Sequence, residues 1–326
     1  MLKYILKRIL HLIPVIIMIS IILFGVMKIM PVDPVLLLMP EDPSLLQDKT
    51  QYERVYKEIE RKYGYDKSIP VQYMKWLQRT ITGDLGESTR FHKPVIDVVK
   101  EPLRNTLYLN IGSTTIGLFV SILIGITSAV KKGTFYDKFW QTVSLIGISL
   151  PTFFIGLMLI YTFALKLKWL PANGMPVLLP GQNDYVLQWV RTLILPTITL
   201  TIGSVASISR YVRSAMIDAL SQDYIRTARS KGVKEKVVIY RHAFRNALIP
   251  VVTIVAWAIV GMFSGAAITE TVFAYNGIGR VMIESVFGLD YNVVLALNMF
   301  FAILSVLGNL LMDLGYALVD PRIRLE

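Results

Sequence analysis

The sequence predicts an all-α polytopic membrane protein with six transmembrane helices, and three observations carry that prediction. Hydrophobic residues make up 54% of the 326-residue chain, more than a soluble domain of this length carries. Six stretches lack Asp, Glu, Lys and Arg altogether: residues 9–27, 107–130, 139–165, 192–209, 247–269 and 291–312. Each has at least 18 residues, enough to cross roughly 30 Å of hydrocarbon as a helix. The runs show no polar alternation, which excludes a transmembrane barrel, the other structure that satisfies its own backbone in lipid.

The first run follows Lys3, Lys7 and Arg8, so it reads either as a cleaved signal peptide or as a retained anchor over 1–30. Its length exceeds the usual apolar core of a signal and no A-x-A site follows, which favours the anchor. Residues 31–103 form the one extended polar region. Within it "SLLQDKTQYERVYKEIERKYGYD" places Leu46, Tyr52, Val55 and Ile59 on roughly one face of a short amphipathic helix. Turn signals stand at "MPVDP", "MPEDP" and "GDLG". The segment reads as a solvated cap over the outer mouth. Residues 104–320 then carry the remaining five spans as one membrane domain, the last continuing to about 318, before a short tail at 321–326. There is no cysteine, so neither a disulfide nor a thiolate metal site contributes.

Charge sets the orientation. With the N-terminus inside, the inner segments hold seventeen Lys and Arg, and the short outer loops hold four: Lys166, Lys168, Arg191 and Arg280. The positive-inside rule then places both termini in the cytoplasm. Segment 31–104 carries twelve basic and twelve acidic residues and adds no net charge on either side.

The most basic inner segment lies at 210–246, between the fourth and fifth spans. In "DYIRTARSKGVKEKVVIYRHAFRNALIP" the residues Leu220, Tyr224, Ile225 and Ala228 fall at helical spacing. Gly232 interrupts, and Val237, Tyr240, Phe244 and Leu248 resume the period. This is a helix, a glycine turn and a second helix, apolar on one face and basic on the other, suited to lying against the inner membrane surface. On physics alone a loop that merely sets topology explains it equally well. Positive-inside bias accounts for the charge, so nucleic acid is not an expected partner.

A resemblance adds to this reading. "DYIRTARSKG" followed by "RHAFRNALIP" is similar to the loop signature of permease subunits of ATP-binding cassette importers, in the dipeptide/oligopeptide and nickel branch. Arg226, Thr227 and Ala228 stand before Gly232 where the general signature has Glu-Ala-Ala, and His242, Phe244 and Arg245 stand at its later Ile-x-Leu-Pro positions. "PVDP", "YGYDKSIPVQY", "GDLGES", "SLPTFFIGLMLI", "WLPANG", "LPTITL", "ITETVFAYNGIGR" and "DPRIR" follow in the family's order. The early anchor and the ending resemble its B-type subunit. The resemblance implies the type I importer permease fold and a coupling helix that docks on a separate ATPase. It places the partner contacts at Tyr224, Arg226, Thr227, Ala228, Lys231, Gly232, Val233, Arg241, His242 and Arg245. The implied partners are a C-type second permease subunit, two ATPase subunits carrying the ATP and Mg, an extracytoplasmic substrate-binding protein, and membrane lipid.

What the chain lacks points the same way. No G-x-x-x-x-G-K-[ST] or H-E-x-x-H occurs, and His11, His92 and His242 fall in different compartments of this topology. No cofactor, metal site or catalytic residue is expected in this chain. Ionisable groups near spans are costly unless they face protein or water, so Glu270, ending the fifth run, and Asp313, inside the sixth, are candidates for the translocation path or for structural pairing. Pro151, Pro196 and Pro250 are candidate kinks. The expected function is the membrane half of an ATP-driven peptide importer working by alternating access. A nickel or other small-solute importer of the same family, and an ion-coupled secondary transporter, remain the alternatives. The second needs intramembrane charges or inverted repeats, of which the sequence offers few.

Overall fold

The computed structural model describes residues 2–29, 33–40, 48–176 and 184–319. Leu46, parts of both proline-rich turns and the 321–326 tail lie outside them. The described residues are helical apart from turns and one isolated β-bridge, Glu87 to Pro94. They divide into two compact units, Ile9–Lys100 with Met282–Ile303, and Glu101–Val281 with the chain's two ends.

Among the described residues, four helices are individually long and apolar enough to cross a membrane: Leu10–Ile29, Val95–Val130, Tyr185–Leu220 and Tyr291–Gly315. Two bent pairs bring the number to six if each is one span. The first unit opens with α1 (Leu2–Ile29) from Ile9 onward, followed by α2 (Lys49–Tyr63) and α3 (Ile69–Ile81). The start of α2 is fixed by Asp48, whose Oδ1 accepts from Thr50 N at 2.9 Å and Gln51 N at 3.2 Å, satisfying two of the four orphan donors of a helix start. Its end is Gly64 in the left-handed region at φ 74.

In the same unit the "GDLGESTR" stretch is tied down by Asp290. This fully buried carboxyl group accepts from Ser88 Oγ and from Thr89 N and Arg90 N, both at 3.4 Å. Arg90 reaches Glu284 as well, donating to its backbone O at 2.9 Å.

The second unit holds most of α4 (Val95–Val130), then α5 (Phe135–Ser149), α6 (Thr152–Leu159), α7 (Tyr185–Leu220) and α8 (Asp223–Ser230). It continues with α9 (Phe244–Gly261), α10 (Ala267–Val272) and the start of α11 (Ile278–Phe287). The last helix, α12 (Tyr291–Val319), is shared with the other unit. Two expected spans are broken. The run 139–165 turns through 101° between Ser149 and Thr152. Pro151 has no N–H to continue the ladder and forces Leu150 out of the helical region, to φ −85 and ψ 130. The run 247–269 stops as a helix at Gly261 and resumes only at Ala267. Glu270 therefore belongs to a separate short helix, not to the end of the fifth span.

Arg213 is a further difference. Counted as an inner-loop charge, it lies within α7 and grips Asp137 with both nitrogens, Nε to Oδ1 at 2.6 Å and Nη2 to Oδ2 at 2.7 Å. Asp137 is buried and also accepts from Gly133 N at 2.9 Å. A bidentate pair of this kind satisfies the carboxylate it encloses, and it fixes the α4–α5 turn to α7.

Candidate functional site

The segment after α7 is built as a helix, a left-handed glycine and a second helix. The C-terminus of α8 is a complete Schellman motif: Gly232 N donates to Arg229 O at 2.9 Å and Val233 N to Ala228 O at 3.2 Å. Gly232 has φ +73, yet an added Cβ would meet nothing within 4 Å. The turn needs its conformation, not its emptiness. Glu235–Val237 and a π-helical turn at Val238–Ala243 lead on into α9. Across the turn, Arg229 Nη2 donates to Glu235 Oε1 at 2.7 Å, and this carboxylate holds the guanidinium above its ordinary pKa.

The apolar face of this segment is covered by the chain itself rather than by membrane. Ile225, Ala228, Val238, Ile239 and Ala243 pack into one core with Ile126, Ala129, Val212, Met216 and Ala247. Val233 packs against the edge of that core, the apolar contact that accompanies a Schellman cap. Burying about five such side chains supplies roughly 1.5–3 kcal/mol for each large one, so the loop is held as a rigid ledge. Tyr224, Arg226, Thr227, Lys231, Gly232, Arg241 and Arg245 face outward. Val233 and His242 are half-buried, and Ala228 is buried in the core. Ala228 is thus a packing residue and is not available to touch a partner. Tyr240, 53% exposed on the same ledge, belongs with the outward set. The helical period of the sequence assigns it to the apolar face, and the fold turns it outward.

Glu270 occupies a different kind of site. It is fully buried. Its Oε1 accepts from Thr106 Oγ1 at 2.8 Å and from Ala266 N at 3.1 Å, and its Oε2 from Arg280 N at 2.9 Å. Thr106 Oγ1 in turn accepts from Ile278 N at 2.8 Å. The two glycines of "AYNGIG" make room for this. A Cβ on Gly277 would stand 2.4 Å from Glu270 Cδ, and one on Gly279 would stand 2.6 Å from Ala267 N. Asn105 completes the knot, donating from Nδ2 to Asn276 O at 2.9 Å and accepting at its O from Tyr275 Oη at 2.5 Å. Through Thr106, Ala266 and Arg280 N the carboxyl group joins α4, α10 and the start of α11.

A cavity of ≈ 380 Å³ lies where α4, α7 and α9 meet. Asn110, Ser113, Thr114 and Ser204 supply its polar groups, and Leu, Ile, Ala and Gly side chains supply the rest. Its lining includes no ionisable side chain, neither Glu270 nor Asp313. Asp313 is half-buried along α12. Asn110 Nδ2 donates to Met262 O at 2.9 Å, tying the cavity wall to the break after α9. Among the described residues, no group of three or more His, Cys, Asp or Glu is placed to hold a metal ion.

Two family descriptions match the chain. Residues 121–325 match the binding-protein-dependent transport system inner membrane component, and residues 1–109 match the N-terminal part of the same kind of component. The oligopeptide transport system permease protein AppB of Bacillus subtilis is 40% identical over 99% of both chains. The dipeptide transport system permease protein DppB of Alkalihalophilus pseudofirmus is 35% identical over 99% of this chain and 100% of that one. An inward-facing structure of the MetNI methionine ABC transporter superposes with a TM-score of 0.51 at 16% identity, covering 70% of this chain and 98% of that chain. That last likeness concerns the fold.

Proposed function

The chain belongs to the family of binding-protein-dependent transport system inner membrane components, and on that premise we propose that it is the membrane-spanning subunit of an ATP-driven importer of di- or oligopeptides. It is a transport component and not an enzyme. Full-length relatives named as oligopeptide and dipeptide permeases support the substrate class. The observation that carries the mechanism is the ledge around Gly232, a fixed backbone turn whose apolar side is spent on the chain's own core and whose basic, tyrosine-bearing side faces out.

In this reading the outward side docks on an ATPase subunit at Tyr224, Arg226, Thr227, Lys231, Gly232, Arg241 and Arg245, with Val233 and His242 at the rim. Two such ATPase subunits, carrying ATP and Mg, act on this chain and on a C-type second permease subunit, and an extracytoplasmic binding protein delivers the peptide. Both termini and the ledge are cytoplasmic. A rigid ledge transmits displacement to the helices that it is packed against, here α4, α7 and α9. Those are the helices that line the uncharged cavity, which is the wall that we assign to the passage. An uncharged lining with scattered hydroxyl and amide groups accommodates peptides irrespective of side-chain charge. Driving the two-state switch from 1:99 to 99:1 takes about 5.5 kcal/mol of differential binding, which ATP-linked closure delivers through the ledge.

Uptake of a labelled tripeptide into proteoliposomes tests this. Uptake is expected only when ATPase partners, ATP and the binding protein are all present. Uptake driven by an ion gradient through the purified chain alone would contradict the reading.

A further inference from the structure

Part of the polar segment between α1 and α4 packs on α1. Helix α3 packs on α1 through Tyr73 and Trp76: Tyr73 Oη lies 2.8 Å from Ser20 Oγ, and the Phe24 ring centroid is 5.6 Å from that of each aromatic. Ser20 and Phe24 are buried. Both belong to the charge-free run 9–27, and at 1.5 Å per residue Ser20 lies about 10 Å short of the run's end at Met27. A run of that length has to use nearly all its residues to cross the hydrocarbon. Contact at Ser20 therefore sets α3 beside α1 at the depth where α1 itself meets acyl chains.

The opposite face of α3 fits that depth. Val71, Met74 and Ile81 are 43, 61 and 76% exposed, and at 100° per residue they share one arc with the half-buried Leu77. A groove of ≈ 560 Å³ runs along this arc and is predominantly apolar, with Lys75 at its edge. Arg79, beside Lys75, is paired with Asp84 at 2.8 Å. On α1 itself Met18, Ile22 and Val26 are each more than half exposed. A solvated helix gains nothing from such a face, whereas an interfacial helix pairs a buried apolar arc with flanking cations.

We infer that α3 is an interfacial helix embedded in the lipid leaflet opposite the N-terminus, with phospholipid acyl chains filling the groove along Val71, Met74, Leu77 and Ile81 and Lys75 at the level of the lipid phosphates. This rests on α1 as a membrane span. It makes the segment membrane-anchored and not a free cap, with the α1-facing side of α3 held at fixed depth.

The absence of native cysteine makes the test direct. Nitroxides are attached singly at Met74→Cys, Ile81→Cys, Met18→Cys and Lys57→Cys in the full chain, assembled with its partners and reconstituted into phospholipid nanodiscs. Collisional accessibility to O2 and to a neutral nickel chelate is then measured by EPR. The O2-to-nickel ratio at positions 74 and 81 is expected to match that at 18 and to exceed that at 57 several-fold. A lipid-like ratio at 18 with a water-like ratio at 74 and 81 overturns the inference alone. Exclusion of both reagents at 74 and 81 also overturns it, in favour of a protein partner. A water-like ratio at 18 overturns the span reading and the inference together.

Discussion

Gly232 and the pair Gly277 and Gly279 show two unrelated uses of the same residue. At Gly232 the backbone is left-handed and the space beyond Cα is open. At Gly277 and Gly279 no positive φ is involved, and the space is filled by the Glu270 carboxyl group and by the backbone at Ala267. The first glycine shapes a surface and the second two permit a buried knot. Surfaces transmit to partners, whereas knots hold the chain to itself. Substitutions at the two places should consequently fail in different assays.

The largest effect is expected at the knot. Glu270→Ala leaves the Ala266 and Arg280 N–H groups and the Thr106 hydroxyl without their acceptor. At 1–3 kcal/mol for each unmade buried bond, this destabilises the chain by roughly 4 kcal/mol. Thermal unfolding of the purified complex would show it, together with reduced membrane levels. Unchanged unfolding with altered peptide preference would return Glu270 to the passage. Gly279→Ala follows at about 3 kcal/mol, the upper end of overpacking, because its Cβ meets backbone that cannot rotate away. A Gly279→Ala chain as stable as the parent would show that the knot is looser than drawn.

At the ledge the loss is functional. Gly232→Val costs about 1–2 kcal/mol for a β-branched residue held left-handed, and the complex should assemble. Peptide uptake and substrate-stimulated ATP hydrolysis should fall sharply, since the displaced turn no longer presents its outward side. Gly232→Asn sharpens the comparison. Asn tolerates the left-handed region, and its Cβ would meet nothing within 4 Å among the described residues, so uptake at half the parental rate or better is expected. Failure of both variants at equal membrane levels would mean that the partner itself crowds Gly232. The smallest effect is reserved for Arg229→Gln. It removes an exposed ion pair with Glu235, worth less than about 1 kcal/mol. Unfolding should barely move, and any loss of uptake would then identify Arg229 as a docking residue.

The spans were legible because absence of charge over 18 or more residues is a one-dimensional property. The glycine turn was legible because period and interruption both lie within 28 residues. What escaped the sequence is three-dimensional. Nothing local distinguishes Pro151, which breaks a span through 101°, from Pro196, which lies inside an unbroken helix. The Arg213–Asp137 pair joins residues 76 apart, so Arg213 reads from sequence as one more inner charge. Ala228 belongs to the quoted signature and also to the helical period, and only packing decides that the period wins. The contact of α3 with Ser20 was hidden because the composition of segment 31–104 is dominated by its twelve acids and twelve bases, while α3 itself carries two.

Docking of an ATPase subunit on the outward side of the Gly232 ledge can be probed by cysteine cross-linking. Single cysteines replace Arg226 or Lys231 on the outward side, and Asp84 serves as a remote control, in chains co-expressed with their ATPase partners, each of which is given single surface cysteines. A disulfide-linked product with the ATPase is expected from positions 226 and 231, changing in yield when ATP is added, and none from 84. No cross-link from either ledge position in a complex that still imports peptide would contradict it.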